Sequence, residues 1–196
     1  MNDRLKKQID FIVEIDKMKS VFRKNILIDR TRNENDAEHS WHISIIAMLL
    51  YEYAYQPGIN LLHVLKMLLI HDIIEIYAGD TFAYDEKANM EKEKREKEAA
   101  DKIFGVLPDD QQKEYRALWE EFDAMETPEA IYAAACDRFE PFILNCNTDG
   151  HTWRLADITK DRVYKRLCQI KLAMPEIWGI VENLIEENIK KGYIKP

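Results

Sequence analysis

Glycine, proline and cysteine are scarce in this sequence, with six Gly, six Pro and three Cys among 196 residues. So few turn formers leave little for the many short strands of a β-sandwich or barrel, and point to an all-α chain. Cys136, Cys146 and Cys168 form no CxxC pair, and any disulfide scheme leaves one unpaired, so reduced thiols in a reducing compartment are expected. Basic charge is also in deficit: 28 Lys and Arg against 36 Asp and Glu give a net charge of -8. That balance disfavours a nucleic-acid polymer or membrane surface as partner, since both need a field of cations. No apolar run approaches the ~20 residues of a membrane span, and the first residues lack a signal-like apolar block, so a cytoplasmic setting is expected.

Hydrophobic residues make up 46% and charged residues 33% of the chain. A single domain over residues 1–196 is expected, long enough to bury a core without disulfides or a structural metal. Helical periodicity runs end to end and predicts a bundle of about seven helices. The first covers residues 3–20, with Ile9, Phe11, Ile12, Ile15 and Met18 on its apolar side. The stretch "FRKNILIDRTRNENDAEHS" is polar and reads as irregular.

Asn35 with Glu38 three residues on has the pattern of a capping box, so a second helix is expected over residues 36–55, with His39 in its first turn. A third should run from Leu61 to Tyr77 and stop at Gly79. Glu91 with Arg95 and Glu93 with Lys97 are expected to pair along an exposed helix. Later helices should open at Pro108, at Thr127–Pro128, at Thr159 and at Pro175, the last closing at Gly192.

The third helix poses the chemical question. Its apolar residues wrap almost the whole surface, so His71, Asp72 and Glu75 cannot all reach bulk water, and a buried unpaired carboxylate costs several kcal/mol. At about 100° per residue the three share one arc of about 100°, and a divalent cation there would neutralise them. His and Asp suit one metal, but a stable site needs more ligands. His39, among acids at the start of a helix, and Asp137, which interrupts the apolar run "AIYAAACDRFEPF", are the best candidates.

The order His, His-Asp, Asp from residue 39 to 137 resembles the signature of the HD-domain metal-dependent phosphohydrolases, carried here by "EHS", "HDIIE", "GDT" and "CDRFEP". The similarity extends from about residue 9 to 190 and is nearest to the small 5'-deoxynucleotidase branch. It implies an HD-domain-like helical bundle and one divalent ion (Mn, Co, Mg, Fe or Zn) held by His39, His71, Asp72 and Asp137. It further implies that Glu75 serves the attacking water or leaving group, Asp80 lies near the substrate sugar, and Arg23 binds phosphate. The implied substrate is a small phosphorylated molecule, a deoxynucleoside 5'-monophosphate, and the implied assembly is a homodimer. The aromatic residue that often follows the arginine in this branch is Lys24 here.

Two other readings keep the metal. A di-iron HD oxygenase needs further histidines, and only five exist. A noncatalytic module would hold the metal for stability alone. His42 reads as a packing residue or a support to a ligand, His63 and His151 as structural. Arg30 and Arg32 fit phosphate steering and surface solvation equally well, and Trp41, Trp119, Trp153 and Trp178 read mostly as core.

Overall fold

The computed structural model describes residues 2–85 and 90–196. Helix α1 spans Asp3–Ile15 and tightens into a 3-10 turn over Asp16–Ser20; α2 spans Asp36–Leu49, with a 3-10 turn at Tyr51–Tyr53. Then follow α3 (Leu61–Ile70), the short α4 (Glu75–Ala78), α5 (Lys92–Phe104), α6 (Asp109–Ala124) and α7 (Pro128–Asn147). The chain closes with α8 (His151–Leu155), α9 (Lys160–Ala173) and α10 (Trp178–Lys190). The fold is all-α in class. Among the described residues eight of these helices reach ten residues or more, one beyond the expected count. Residues 86–89 at the head of the charged segment lie outside the described residues.

Most of the expected start and stop signals hold, but the last helix opens at Trp178, after a 3-10 turn over Pro175–Ile177. Asn35 and Glu38 form a reciprocal capping box, Thr127 caps α7 with Pro128 as its first residue, and Gly79 ends α4 at a φ of 73°. Lys97 pairs with Glu93 at 2.6 Å as expected, but Arg95 donates to Thr81 Oγ1 at 2.6 Å.

Helix α7 is the central element, packed against α2, α3, α6 and α9. Ala130, Ala133, Ala134 and Ala135 are buried along it, and small side chains let neighbouring helices approach closely. Tyr132 donates its hydroxyl to the Ala47 carbonyl at 2.8 Å, tying α7 to α2. Ile43, Val64, Met67 and Leu68 fill the space between the helices with no exposed surface. Each such side chain contributes about 1.5–3 kcal/mol by burial.

Several features depart from expectation. The second helix stops at Leu49 instead of running to residue 55, with Tyr51–Tyr53 tightened into a 3-10 turn. The stretch read as irregular contains an antiparallel hairpin, β1 (Phe22–Ile26) with β2 (Asn33–Asn35), in which Phe22 pairs with Asn35 and Ile26 with Asn33. The third helix does not run through to Tyr77: α3 ends at Ile70, and His71–Ile74 form turns before α4. There the bonds tighten to three-residue spacing, Ile73 N to Ile70 O at 3.1 Å and Glu75 N to Asp72 O at 2.9 Å. Such tightening turns successive side chains by more than the α-helical angle and often marks a functional segment. Trp41 departs as well, being 63% exposed, while the other three tryptophans are buried.

Candidate metal centre and cavity

The capping box fixes the start of α2 and delivers His39 into the core, fully buried. The tightened turn after α3 supplies His71 and Asp72. Asp137 comes from the middle of α7, where Pro141 four residues on removes the bond to the Asp137 carbonyl and weakens the helix at that point. Glu75 opens α4, and the hairpin carries Arg23.

These side chains converge. His39 Nε2 lies 3.0 Å from Asp137 Oδ1 and 3.9 Å from Asp72 Oδ2. His71 Nε2 lies 3.1 Å from Asp72 Oδ1 and 3.7 Å from Asp137 Oδ1. His71 Nδ1 donates to the Leu68 carbonyl at 2.8 Å, so in the neutral ring Nε2 bears a lone pair. That nitrogen is buried and has no hydrogen-bond partner. His39 is backed in a similar way, with Nδ1 3.3 Å from Glu140 Oε2, while its Nε2 meets Asp137 Oδ1.

Imidazole lone pairs facing carboxylate oxygens at 3–4 Å repel unless a cation lies between them, either protons or a metal ion. One ligand atom from each of His39, His71 and Asp137 falls within a 4.8 Å span, and Asp72 borders the same space. A donor set of two imidazoles and two carboxylates suits a divalent ion, and Glu140 behind His39 makes the carboxylate–histidine support common at such sites.

The charges respond to one another. Burial and Arg23 oppose a proton on His39, yet Asp137 and Glu140 raise it to about 10. Burial also opposes one on His71, which Asp72 and Asp137 raise to about 9. Asp137 resists the upward push of burial and is held well below the usual carboxylate range by the two histidines. Burial pushes Glu75 well above its ordinary value, and Asp72, Asp36 and Asp80 push further. Asp80 is raised mainly by burial.

Arg23, Asp72, Glu75, Asp80 and Asp137 line one cavity of about 330 Å³, within the range of small-molecule sites. Arg23 is committed to acids: Nη1 lies 2.9 Å from Asp72 Oδ2 and 3.5 Å from Asp36 Oδ1, and Nε 3.7 Å from Glu34 Oε2. Lys24 lines the cavity too. Arg30 and Arg32 do not line it: they pair with Asp149 at 2.7 Å and Glu38 at 2.5 Å. His63 pairs with Glu121 at 2.8 Å, and His42 Nδ1 lies 3.0 Å from Glu140 Oε1. The cysteines are free thiols.

Sequence reasoning missed Glu34, Asp36 and Glu140. Glu140 had a signal, since it lies one helical turn after Asp137 in an apolar run. Asp36 had none, because an acid in the first turn of a helix is ordinary; here both its oxygens are buried without a hydrogen bond, and Oδ1 lies 3.5 Å from Arg23 Nη1.

The sequence model of the HD domain matches residues 15–178. The chain belongs to the HD-domain family. It is 28% identical over 159 residues to the 5'-deoxynucleotidase HDDC2 of Danio rerio, covering 80% of this chain and 75% of that one. The human 5'-deoxynucleotidase HDDC2 is 30% identical over 109 residues, 56% of this chain and about half (52%) of the relative's length. A crystal structure described as a predicted metal-dependent phosphohydrolase from Magnetospirillum magnetotacticum MS-1 superposes with a TM-score of 0.94 at 46% identity, covering 99% of this chain and 97% of that one. Among the described residues of this HD-domain chain, no helix is long and apolar enough to cross a membrane.

Proposed function

We propose that this chain is a metal-dependent phosphohydrolase that releases phosphate from a small phosphomonoester, a deoxynucleoside 5'-monophosphate, and that residues 1–196 form one HD domain. The observation that carries the reading is the pair of buried imidazole nitrogens, His39 Nε2 and His71 Nε2, aimed at the shared carboxylates of Asp72 and Asp137 beside a cavity. The nucleotide as substrate is supported by the names of the relatives, and the assembly by the family resemblance, which favours a homodimer. A cytoplasmic setting is supported by composition.

In this reading His39, His71, Asp72 and Asp137 hold one divalent ion. Such an ion lowers the pKa of bound water and polarises a phosphoryl oxygen. Glu75, buried beside Asp72 with Oε2 unpartnered, takes a proton from the attacking water and returns it to the ester oxygen as the P–O bond breaks. Arg23 directs Nη1 to Asp72 and so orients that ligand, and its charge offsets that of the phosphoryl oxygens across the cavity. Asp80 accepts from a sugar hydroxyl. The apolar helices behind the cluster exclude water and strengthen each of these contacts.

The test is phosphate release from deoxy- and ribonucleoside 5'-monophosphates with Mn, Co, Mg, Fe or Zn supplied in turn. Release with preference for the deoxy series is expected, and Asp80→Ala should narrow that preference. Silence across the whole panel with every metal would overturn the reading.

A further inference from the structure

Of two guanidinium groups on the cavity wall, one has no carboxylate partner among the described residues and the other has only a distant one. Arg138 follows Asp137 on α7 and Arg166 lies on α9; both line the cavity with Asp72 and Glu75. Arg138 donates Nη2 to the Met125 thioether at 3.1 Å, while its Nε is buried without a partner. Among the described residues no carboxylate forms an ion pair with it. Arg166 Nη2 is 3.7 Å from Asp137 Oδ2, and its side chain is 35% exposed. The two like charges repel each other. A partly buried cation resting on a weak sulfur acceptor beside another cation is unfavourable until an anion completes it.

Charge balance leads to the same pair. A divalent ion among the four ligands would have its charge met by Asp72 and Asp137. Arg23 is met by Asp72, Asp36 and Glu34 within 3.7 Å. A phosphomonoester dianion therefore enters a site whose metal and nearest arginine already have counter-charges, and Glu75 and Asp80 oppose it further. Of the other cavity cations, Lys92 pairs with Glu96 at 3.4 Å and Lys24 is exposed to water. Beside Arg23, whose charge is shared among three carboxylates, Arg138 and Arg166 have the most charge left to give.

We infer that Arg138 and Arg166 bind the phosphoryl oxygens of the substrate and of the phosphate product, with Arg166 linking that anion to Asp137 on the side facing away from the histidines. The inference rests on the phosphohydrolase reading. Guanidinium donors suit phosphate because two N–H groups can meet two oxygens at once, which a lysine cannot reproduce.

Inorganic phosphate is the probe, titrated calorimetrically into metal-loaded protein so that no turnover is needed. Arg138→Gln and Arg166→Gln should each weaken phosphate binding about tenfold or more. Metal content should hold at the wild-type level, KM should rise more than kcat falls, and Arg138→Lys should recover only part of the affinity. Arg166→Gln alters a half-exposed position and serves the test if Arg138→Gln does not fold. Unchanged phosphate affinity in the folded variants, or a loss that only follows loss of metal, overturns the inference. If the phosphohydrolase reading is what fails, no nucleotide turns over although phosphate still binds through the arginines. If only this inference fails, turnover continues with phosphate affinity and KM unmoved.

Discussion

Replacing Glu140 by glutamine perturbs the candidate metal centre without touching a proposed ligand. Glu140 is fully buried, with Oε2 3.3 Å from His39 Nδ1 and Oε1 3.0 Å from His42 Nδ1. Burial pushes its carboxyl up, but the bonds from His39 and His42 prevail and hold it well below the usual carboxylate range. Glutamine keeps the shape, loses the charge and offers one acceptor oxygen to two imidazoles, so one ring loses its acceptor. A hydrogen bond to a charged group contributes about 1.5–3 kcal/mol, and about 1.4 kcal/mol is a factor of ten in affinity. Metal affinity should therefore fall about ten- to hundredfold, the usual effect of disturbing a group behind a metal ligand. Competition against a chelator of known affinity measures the fall, and kcat at saturating metal should stay close to wild type. Unchanged metal affinity would refute the placement of Glu140 behind a ligand.

Glu75→Gln should keep the fold and the metal while kcat falls about 10²–10⁴-fold, so turnover preserved in a metal-replete variant would remove Glu75 from the chemistry. In the metal-free protein His39 and His71 titrate near 10 and 9, above the ordinary 6.5, so their contribution to stability is complete below about pH 6.5 and is lost as pH rises through 9 to 10. Glu34, raised to about 8, and Asp36, raised to about 7, both mainly by burial, lose their contributions in the same direction as pH rises. Denaturant melts in chelator from pH 6 to 10 should show this decline, and calorimetry in buffers of different ionisation enthalpy should show metal binding releasing protons near pH 7. Flat stability over that range would contradict the charge network. Asn35→Ala removes half of the capping box and should cost about 1 kcal/mol, lowering Tm by about 2–4 °C; no shift would mean that the cap adds nothing to α2.

The bundle was legible because its signals are local. Asn35 with Glu38, Thr127 with Pro128, and Gly79 act within a turn of chain and needed no knowledge of neighbours. The H, HD and D positions were legible for a related reason: charge inside an apolar helix must be compensated, and its spacing indicates where. The hairpin was not, since Phe22–Ile26 alternates weakly and its pairing with Asn33–Asn35 depends on contacts across the loop. The break after Ile70 left no mark either, because Ile73, Ile74 and Ile76 continue the helical pattern through it. Arg138 and Arg166 are ordinary helix residues in the sequence, and only the packing of α7 on α9 brings them to one cavity wall.

Metal titration of turnover tests the central claim most directly. Chelator-stripped protein should be inactive, and phosphate release should rise with added divalent ion to a plateau at one equivalent per chain, with Asp137→Ala remaining flat. A plateau at two equivalents would favour a di-iron type of centre. Turnover that ignores metal, or that survives in Asp137→Ala, would contradict a reaction centred on His39, His71, Asp72 and Asp137.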